Sequence, residues 1–469
     1  MTSLERRPIA AADIETSPSS YVDPNGFVFH HDGEIYRAIY TRVGGFYRSL
    51  FEDGTIDALV AKHRLVPSAI APLTLPRDDV AFVVHHETIR PITYCLEWCP
   101  SMLRDAGAAL LDLALAILDR GCVMQDCYPW NVLMRGTEPV VIDLTSIARV
   151  DTPLLWPAFQ QFQSFFLRPL ELSAQGKGKV ARALLRDNIE GITLVEFYRA
   201  SSFRHRVTHP LLAIEASADW IIQRSPALKR SLKRSLDRAT RAVDTRLRRR
   251  FLSGLLRRLG RFKFARHADI WSDYYRQIDP SVDREIKLKA ITDTLRRLRP
   301  ATVLDVGCNT GVFSVIAARE GSRVVAVDSS EACVERLYAA ARADGLNITP
   351  LVLDILCPTP ASGFMGRQYP GFMERARADL VLCLGLMHHL HITGRQPFAR
   401  IADLMQALST KHLVFEFIAR DDENVALLGT GRPIEYDLQT VIGALSAHFP
   451  DIDVMHSDRA TRRLLLCSR

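Results

Sequence analysis

The sequence predicts an α/β protein that ends in a doubly wound, mostly parallel sheet over residues 266–469. Three observations carry this. After Pro300, apolar strand-like runs alternate with helical periods, the pattern of successive βαβ units. Three successive runs end in an acid, at Asp305, Asp328 and Asp354. The chain has 469 residues, 48% of them hydrophobic and 24% charged, which is enough apolar material for more than one core.

Each element of the C-terminal part can be placed in turn. Strands are expected at Thr302–Val306, Arg323–Val327, Thr349–Leu353, Asp379–Leu384 and His412–Phe417, with helices from Gly311, from Ser330 and over Phe398–Leu408. Arg462–Cys467 reads as a final edge strand. The chemistry centres on Val303-Leu304-Asp305-Val306-Gly307-Cys308-Asn309-Thr310-Gly311, an apolar strand running through a glycine-bearing turn into a helix. In open α/β sheets, ligands bind outside the carboxyl ends of the strands, where strand order reverses. Gly307 and Gly311 lack a Cβ, so the backbone can turn sharply and come close to a ligand. Asp305 is a candidate for a ligand ammonium. Asp328, at the end of the next strand, suits ribose hydroxyls, and Asp354 an adenine amine.

At these residues the chain resembles class I S-adenosylmethionine-dependent methyltransferases, whose domain is Rossmann-like. The resemblance implies S-adenosylmethionine as cofactor, bound by Asp305, Gly307, Asn309, Gly311, Asp328 and Asp354. An NAD site is the competing reading. It is disfavoured because Asn309 stands where the second glycine of G-x-G-x-x-G belongs.

On the acceptor side, His388, His389 and His391 follow the fourth strand. A neutral imidazole there can take a hydroxyl proton, so His388 and His389 are the candidate catalytic residues. Capping and packing roles are the alternative. Glu416 either binds the acceptor or pairs with a nearby Arg. Leu384-Gly385-Leu386-Met387 carries neither the [Asp/Asn]-Pro-Pro-aromatic motif nor a Pro-Cys nucleophile, which weighs against methylation of nucleic-acid bases.

Residues 21–200 read as an α+β module: short strands, a helix over Leu103–Leu118, a turn at Asp126–Asn131, and strands Val132–Met134 and Val140–Ile142. An Asp, an Asn and a second Asp returned by a hairpin are what phosphoryl transfer uses to orient a hydroxyl and hold magnesium. Asp126, Asn131 and Asp143 thus resemble the catalytic loop and metal-binding Asp of protein kinases and aminoglycoside phosphotransferases. The departures are large. Met124-Gln125 and Leu144-Thr145 replace the usual flanking residues, no glycine-rich phosphate loop lies upstream, and Arg37 is the nearest cation to a strand lysine. Active phosphotransfer is not expected. A degenerate module that binds a substrate or nucleotide, or an unrelated domain with capped turns, remain the readings.

The +7 net charge is concentrated in one place. Arg224–Arg266 holds sixteen Lys or Arg and two acids. Apolar residues at 228, 232, 236, 239, 243, 247, 251, 255, 259 and 262 make one continuous helical stripe. This 201–265 segment is expected to be a basic amphipathic connector. It packs its stripe on a domain, lies on an anionic membrane surface, or binds nucleic acid.

Residues 1–20 read as a flexible tail. No apolar signal-like run opens the chain, and no run reaches the ~20 apolar residues of a membrane span. Nine scattered cysteines, with Cys95 and Cys99 the nearest pair, imply reduced thiols and no metal. The expectation is a cytoplasmic protein, with peripheral membrane association open. The two-part layout is similar to bacterial methyltransferase-like proteins, rhizobial host-specific nodulation proteins among them. That resemblance implies methyl transfer to oxygen or nitrogen of a small molecule or glycan. An RNA or protein methyltransferase, or a non-catalytic protein that binds S-adenosylmethionine, are the alternatives.

Overall fold

The computed structural model describes residues 7–469 apart from 21–22, 151–153, 188–189, 240–243, 265–284, 427 and 429–435. The N-terminal unit opens on an antiparallel sheet of β1 (Glu15–Thr16), β2 (Gly26–His31), β3 (Glu34–Tyr40), β4 (Ser68–Ala71) and β5 (Val80–His86). Their order is β1-β2-β3-β5-β4. Asp32 and Gly33 join β2 to β3 with φ of 50° and 79°, and Asp-Gly is the pair that tolerates two positive values in a hairpin turn. α1 (Thr41–Glu52) follows β3 directly. α2 (Pro100–Ile117) starts on a proline, whose missing N–H costs nothing at a helix start. Its Leu103, Leu110, Leu113 and Ile117 are all buried. β6 (Cys122–Met124), the 125–131 loop, the hairpin β7 (Val132–Arg135) and β8 (Glu138–Val141), and β9 (Ile147–Arg149) complete the region around Asp126.

Two expectations are corrected here. The described part of the 1–20 tail is not loose: Arg7–Pro8 pairs with Leu73–Thr74, β1 pairs with β2, and Ile9 is 4% exposed. An apolar residue in a short polar stretch was enough to tie it down. The basic stretch is also not one helix. It comprises α3 (Phe203–Thr208), α4 (Leu211–Arg224), α5 (Pro226–Ala239) and α6 (Thr245–Gly260). Proline starts α5, and Asp244 caps α6 by accepting the Leu247 N–H at 2.7 Å. The stripe is therefore divided. Leu255 and Leu259 are buried, with Leu259 against Gly107 of α2, whereas Leu228 and Leu247 are exposed. Val243 and the side chains at 232, 236 and 239 lie outside the described residues.

The C-terminal unit begins, among the described residues, with α7 (Glu285–Leu298); the expected boundary at Arg266 lies outside them. Then follow β10 (Thr302–Val306), α8 (Val312–Arg319), β11 (Arg323–Asp328), α9 (Glu331–Ala343), β12 (Ile348–Val352), β13 (Ala378–Cys383), α10 (Phe398–Leu408), β14 (Ser409–Ile418), α11 (Leu438–Ser446), β15 (Asp451–His456) and β16 (Arg462–Ser468). The sheet order is β12-β11-β10-β13-β14-β16-β15, parallel through β14 and antiparallel at β16 and β15. The chain leaves β10 to one side and returns to β13 on the other, so the crevice opens where those two strands end. This is the Rossmann-like arrangement. Arg462–Ser468 is a correction: it is an inner strand, with Leu464, Leu465 and Leu466 at 0%, 0% and 3% exposure. The edge is β15, whose polar alternation hid it from the sequence.

The two units share one hydrophobic core, which runs from Trp98 and Leu110 to Tyr338 and Phe372. α9 is the contact helix. Tyr338 Oη donates to Asp105 Oδ2 at 2.8 Å and to the Thr137 carbonyl at 3.1 Å, and Arg342 pairs with Asp105. The Ser101 N–H donates to Glu335 Oε1 at 2.7 Å, and Arg182 pairs with Glu331. The ion pair between Arg375 and Glu97 is almost wholly buried. No helix among the described residues is long and apolar enough to cross a membrane.

Candidate active site

The turn after β10 is tightly determined. The N–H groups of Gly307 and Cys308 both donate to the Val327 carbonyl, at 2.9 and 3.0 Å. Gly307, Asn309 and Gly311 have φ of 76°, 51° and 82°. A Cβ on Gly311 would come within 2.3 Å of Leu337, so only glycine lets α9 pack there. A Cβ on Gly307 would meet Leu386 at 3.2 Å, so this bare backbone faces the segment that follows β13.

Asp328 holds the turn together. Its Oδ2 accepts the Asn309 N–H and its Oδ1 the Ser330 N–H, both at 2.8 Å. A carboxylate at the end of the second strand is the group type that accepts ribose hydroxyls in such folds. Asp354 is exposed just beyond β12 and accepts the Leu356 N–H at 3.0 Å. Gly307, Asn309, Gly311 and Asp328 stand together around one turn and Asp354 follows the neighbouring strand at the same carboxyl edge of the parallel sheet, an arrangement that fits a nucleoside ligand.

Asp305 does not line that crevice. Its side chain is 2% exposed and takes the Ser314 hydroxyl at 2.6 Å, and burial pushes its carboxyl up to about 6. The first strand of a parallel sheet is covered on both faces, so this acid points into the core beneath α8.

The three histidines separate. His388 is 4% exposed, its Nδ1 has no hydrogen-bond partner, and burial pulls its imidazole down to about 3. His389 opens a single π-helical turn, His389–Thr393, and is partly exposed; burial lowers its pKa too. Their rings lie 4.1 Å apart. His391 shares Nδ1 with the Gln396 carbonyl at 2.8 Å and stacks on Phe398, which is a packing role.

Glu416 pairs with Lys287 at 2.6 Å, not with an arginine. It also accepts the Gly385 N–H and the Ser457 hydroxyl, each at 2.7 Å. Burial pushes this carboxyl up, but the Lys287 ammonium and these hydrogen bonds outweigh that and hold it below the ordinary range. At 0% exposure it fixes the turn before the histidines and does not face an acceptor. No local pattern points to Lys287, which lies 129 residues away on α7.

In the N-terminal unit, Asp126, Asn131 and Asp143 do converge. The Asn131 amide donates to Asp143 Oδ2 at 3.3 Å, and burial, then the Asp143 charge, push Asp126 up. Arg37 of β3 reaches the same place. It lies 3.2 Å from Asp143 and 2.5 Å from Asp23, with Thr145 between them. A guanidinium thus pairs the carboxylate that a magnesium ion would need. Tyr369, from the segment after β12, packs on Trp130 at 5.6 Å, so the C-terminal unit closes over this loop. Among the described residues, no group of three or more His, Cys, Asp or Glu could hold a metal ion.

The strand order, the glycine turn and the acid at the end of β11 together define a class I methyltransferase domain that uses S-adenosylmethionine. Residues 303–407 match the family model for a methyltransferase domain. The chain is 29% identical over 441 residues to nodulation protein NoeA of Rhizobium meliloti (strain 1021), covering 91% of this chain and 90% of that protein. It is 27% identical over 157 residues to the ubiquinone biosynthesis O-methyltransferase of Pasteurella multocida (strain Pm70), which takes in 33% of this chain and 61% of that one. Among solved structures, the bifunctional kinase-methyltransferase WbdD is similar at 18% identity and a TM-score of 0.30, over 40% of each chain. The N-methyltransferase NodS of Bradyrhizobium japonicum WM9 is similar at 18% identity and a TM-score of 0.29, over 40% of this chain and 98% of its own.

Proposed function

We propose that this protein methylates an oxygen or nitrogen of a small molecule or glycan, with His389 as the group that takes the acceptor's proton. S-adenosylmethionine, when bound, supplies an activated methyl on sulfonium, so alignment does much of the work. Gly307, Asn309 and Gly311 would hold the donor by backbone approach, Asp328 by its ribose and Asp354 by its adenine. Asp305 would stiffen the turn from below.

The observation that carries the reading is the approach of Leu386 to the bare backbone of Gly307, where a Cβ would meet it at 3.2 Å; this supports a site shared by the glycine turn and the segment that carries His388 and His389. A base must be neutral at working pH and strong enough to accept a proton. His388, pulled down to about 3, is neutral but weak and buried. His389 is less enclosed and is the better base. The name of one relative, an O-methyltransferase, supports oxygen as the acceptor atom.

The test is S-adenosylhomocysteine release with a panel of hydroxylated and aminated oligosaccharides, phenols, a protein mixture and RNA. Turnover on saccharide or phenol, lost in His389→Ala, supports the proposal. Turnover confined to RNA or protein contradicts it. Donor binding without turnover on any acceptor favours a sensor.

A further inference from the structure

We propose that the outer side of α3, α4 and the start of α5 docks on an anionic lipid surface. Phe203, Val207, Leu211, Ile214, Ile221 and Leu228 are 76%, 60%, 66%, 66%, 52% and 38% exposed. Phe203 and Val207 are four apart on α3, and Leu211, Ile214 and Ile221 are spaced three and seven on α4, so each of these helices turns one apolar side to solvent, with Leu228 following at the start of α5. Among the described residues, eight of the seventeen large hydrophobics left exposed fall between Phe203 and Leu247. Soluble surfaces seldom gather apolar side chains in this way unless something covers them.

Charge identifies the cover. Between Phe203 and Arg234 the sequence has seven Lys or Arg and two acids. Arg204, Lys229, Arg230 and Arg234 are exposed, and none has an acidic partner among the described residues. The Arg224 guanidinium lies 4.1 Å over the Trp220 ring, which keeps an amphipathic aromatic and a cation together at the rim of the stripe. Exposed apolar residues beside a basic flank match the acyl boundary and the phosphates of a lipid monolayer. A second copy of the chain would set this basic side against itself. Nucleic acid would engage the arginines but leave the apolar stripe in water. The further run of arginines on α6 continues the charge: Arg246, Arg249, Arg250 and Arg257 line an open recess of about 430 Å³. The inference does not depend on the identity of the methyl acceptor.

The test is co-sedimentation of the full chain with vesicles of equal parts phosphatidylcholine and phosphatidylglycerol, against phosphatidylcholine alone. Two double variants are compared, Leu211→Ser with Ile214→Ser and Arg230→Glu with Arg234→Glu. All four side chains are exposed, and unchanged thermal unfolding confirms that the fold survives. The expected result is at least about tenfold stronger partition to anionic vesicles, lost about tenfold in each variant and weakened by salt. Equal or absent binding to both vesicle types overturns the proposal. So does a wild-type dimer that the serine variant dissociates without any vesicle binding, and so does binding to single-stranded RNA that the serine variant leaves intact.

Discussion

Tyr338 on α9 donates its hydroxyl to Asp105 on α2 at 2.8 Å, while the residue before it, Leu337, packs under Gly311 of the glycine turn. One helix therefore ties the N-terminal unit to the glycine turn after β10. Asp105 also accepts from Arg104 and pairs with Arg342, so it is a fully engaged buried acid. Tyr338→Phe and Asp105→Ala should each destabilise the whole chain, and their double-mutant cycle should return a coupling of about 1–3 kcal/mol. Additive losses would mean that the units merely touch.

Asp305 predicts a pH-dependent gain on removing its charge. Its carboxyl rises from an ordinary 3.8 to about 6 because of burial. Ionising it therefore costs the folded state. That cost is absent below the unfolded value and fully present above about pH 6. Asp305→Asn keeps an acceptor for Ser314 and should raise the unfolding free energy near pH ~7.5 by about 1–3 kcal/mol, with no gain near pH ~4. Chemical denaturation at both pH values checks this. A loss of stability at the higher pH would show that the charge is needed.

The histidines should behave differently. His389→Ala should lower kcat on an oxygen acceptor by about 100-fold or more while leaving donor affinity nearly unchanged. His388→Ala should act through folding, costing about 2–4 kcal/mol from the cavity it leaves. Initial rates and thermal unfolding on the two variants separate these effects.

Arg37 sets the expectation for the N-terminal unit. Its pairing with Asp23 and Asp143 is mostly buried, so Arg37→Ala should destabilise by about 3–5 kcal/mol through the carboxylates left without a cation. For the same reason, adding magnesium and ATP should not shift the melting temperature of the wild type. A clear upward shift would show that nucleotide displaces the guanidinium.

The glycine turn was legible in the sequence because it lies in consecutive residues: a strand, two glycines, and acids at the ends of successive strands. Local pattern also placed α2, the 125–131 loop and β10 to β14. What escaped depends on distance along the chain. Lys287 meets Glu416, and Arg37 meets Asp143, only after folding, and an acid's type does not reveal whether it faces a crevice, as Asp328 does, or a core, as Asp305 does. The basic stretch reads as one helix because its apolar periodicity continues past Asp244, where the chain caps a new helix. The edge strand β15 was missed because a half-exposed strand alternates polar and apolar residues over too few positions.

The most direct test of the account is calorimetric titration of the full chain with S-adenosylmethionine, wild type against Asp328→Ala. Asp328 joins the glycine turn to the next strand and is the proposed ribose contact, so its loss should weaken binding about 10- to 100-fold, with a folded protein by circular dichroism. Equal affinity in the two proteins, or no binding by a folded wild type, would contradict the assignment of this crevice to the methyl donor.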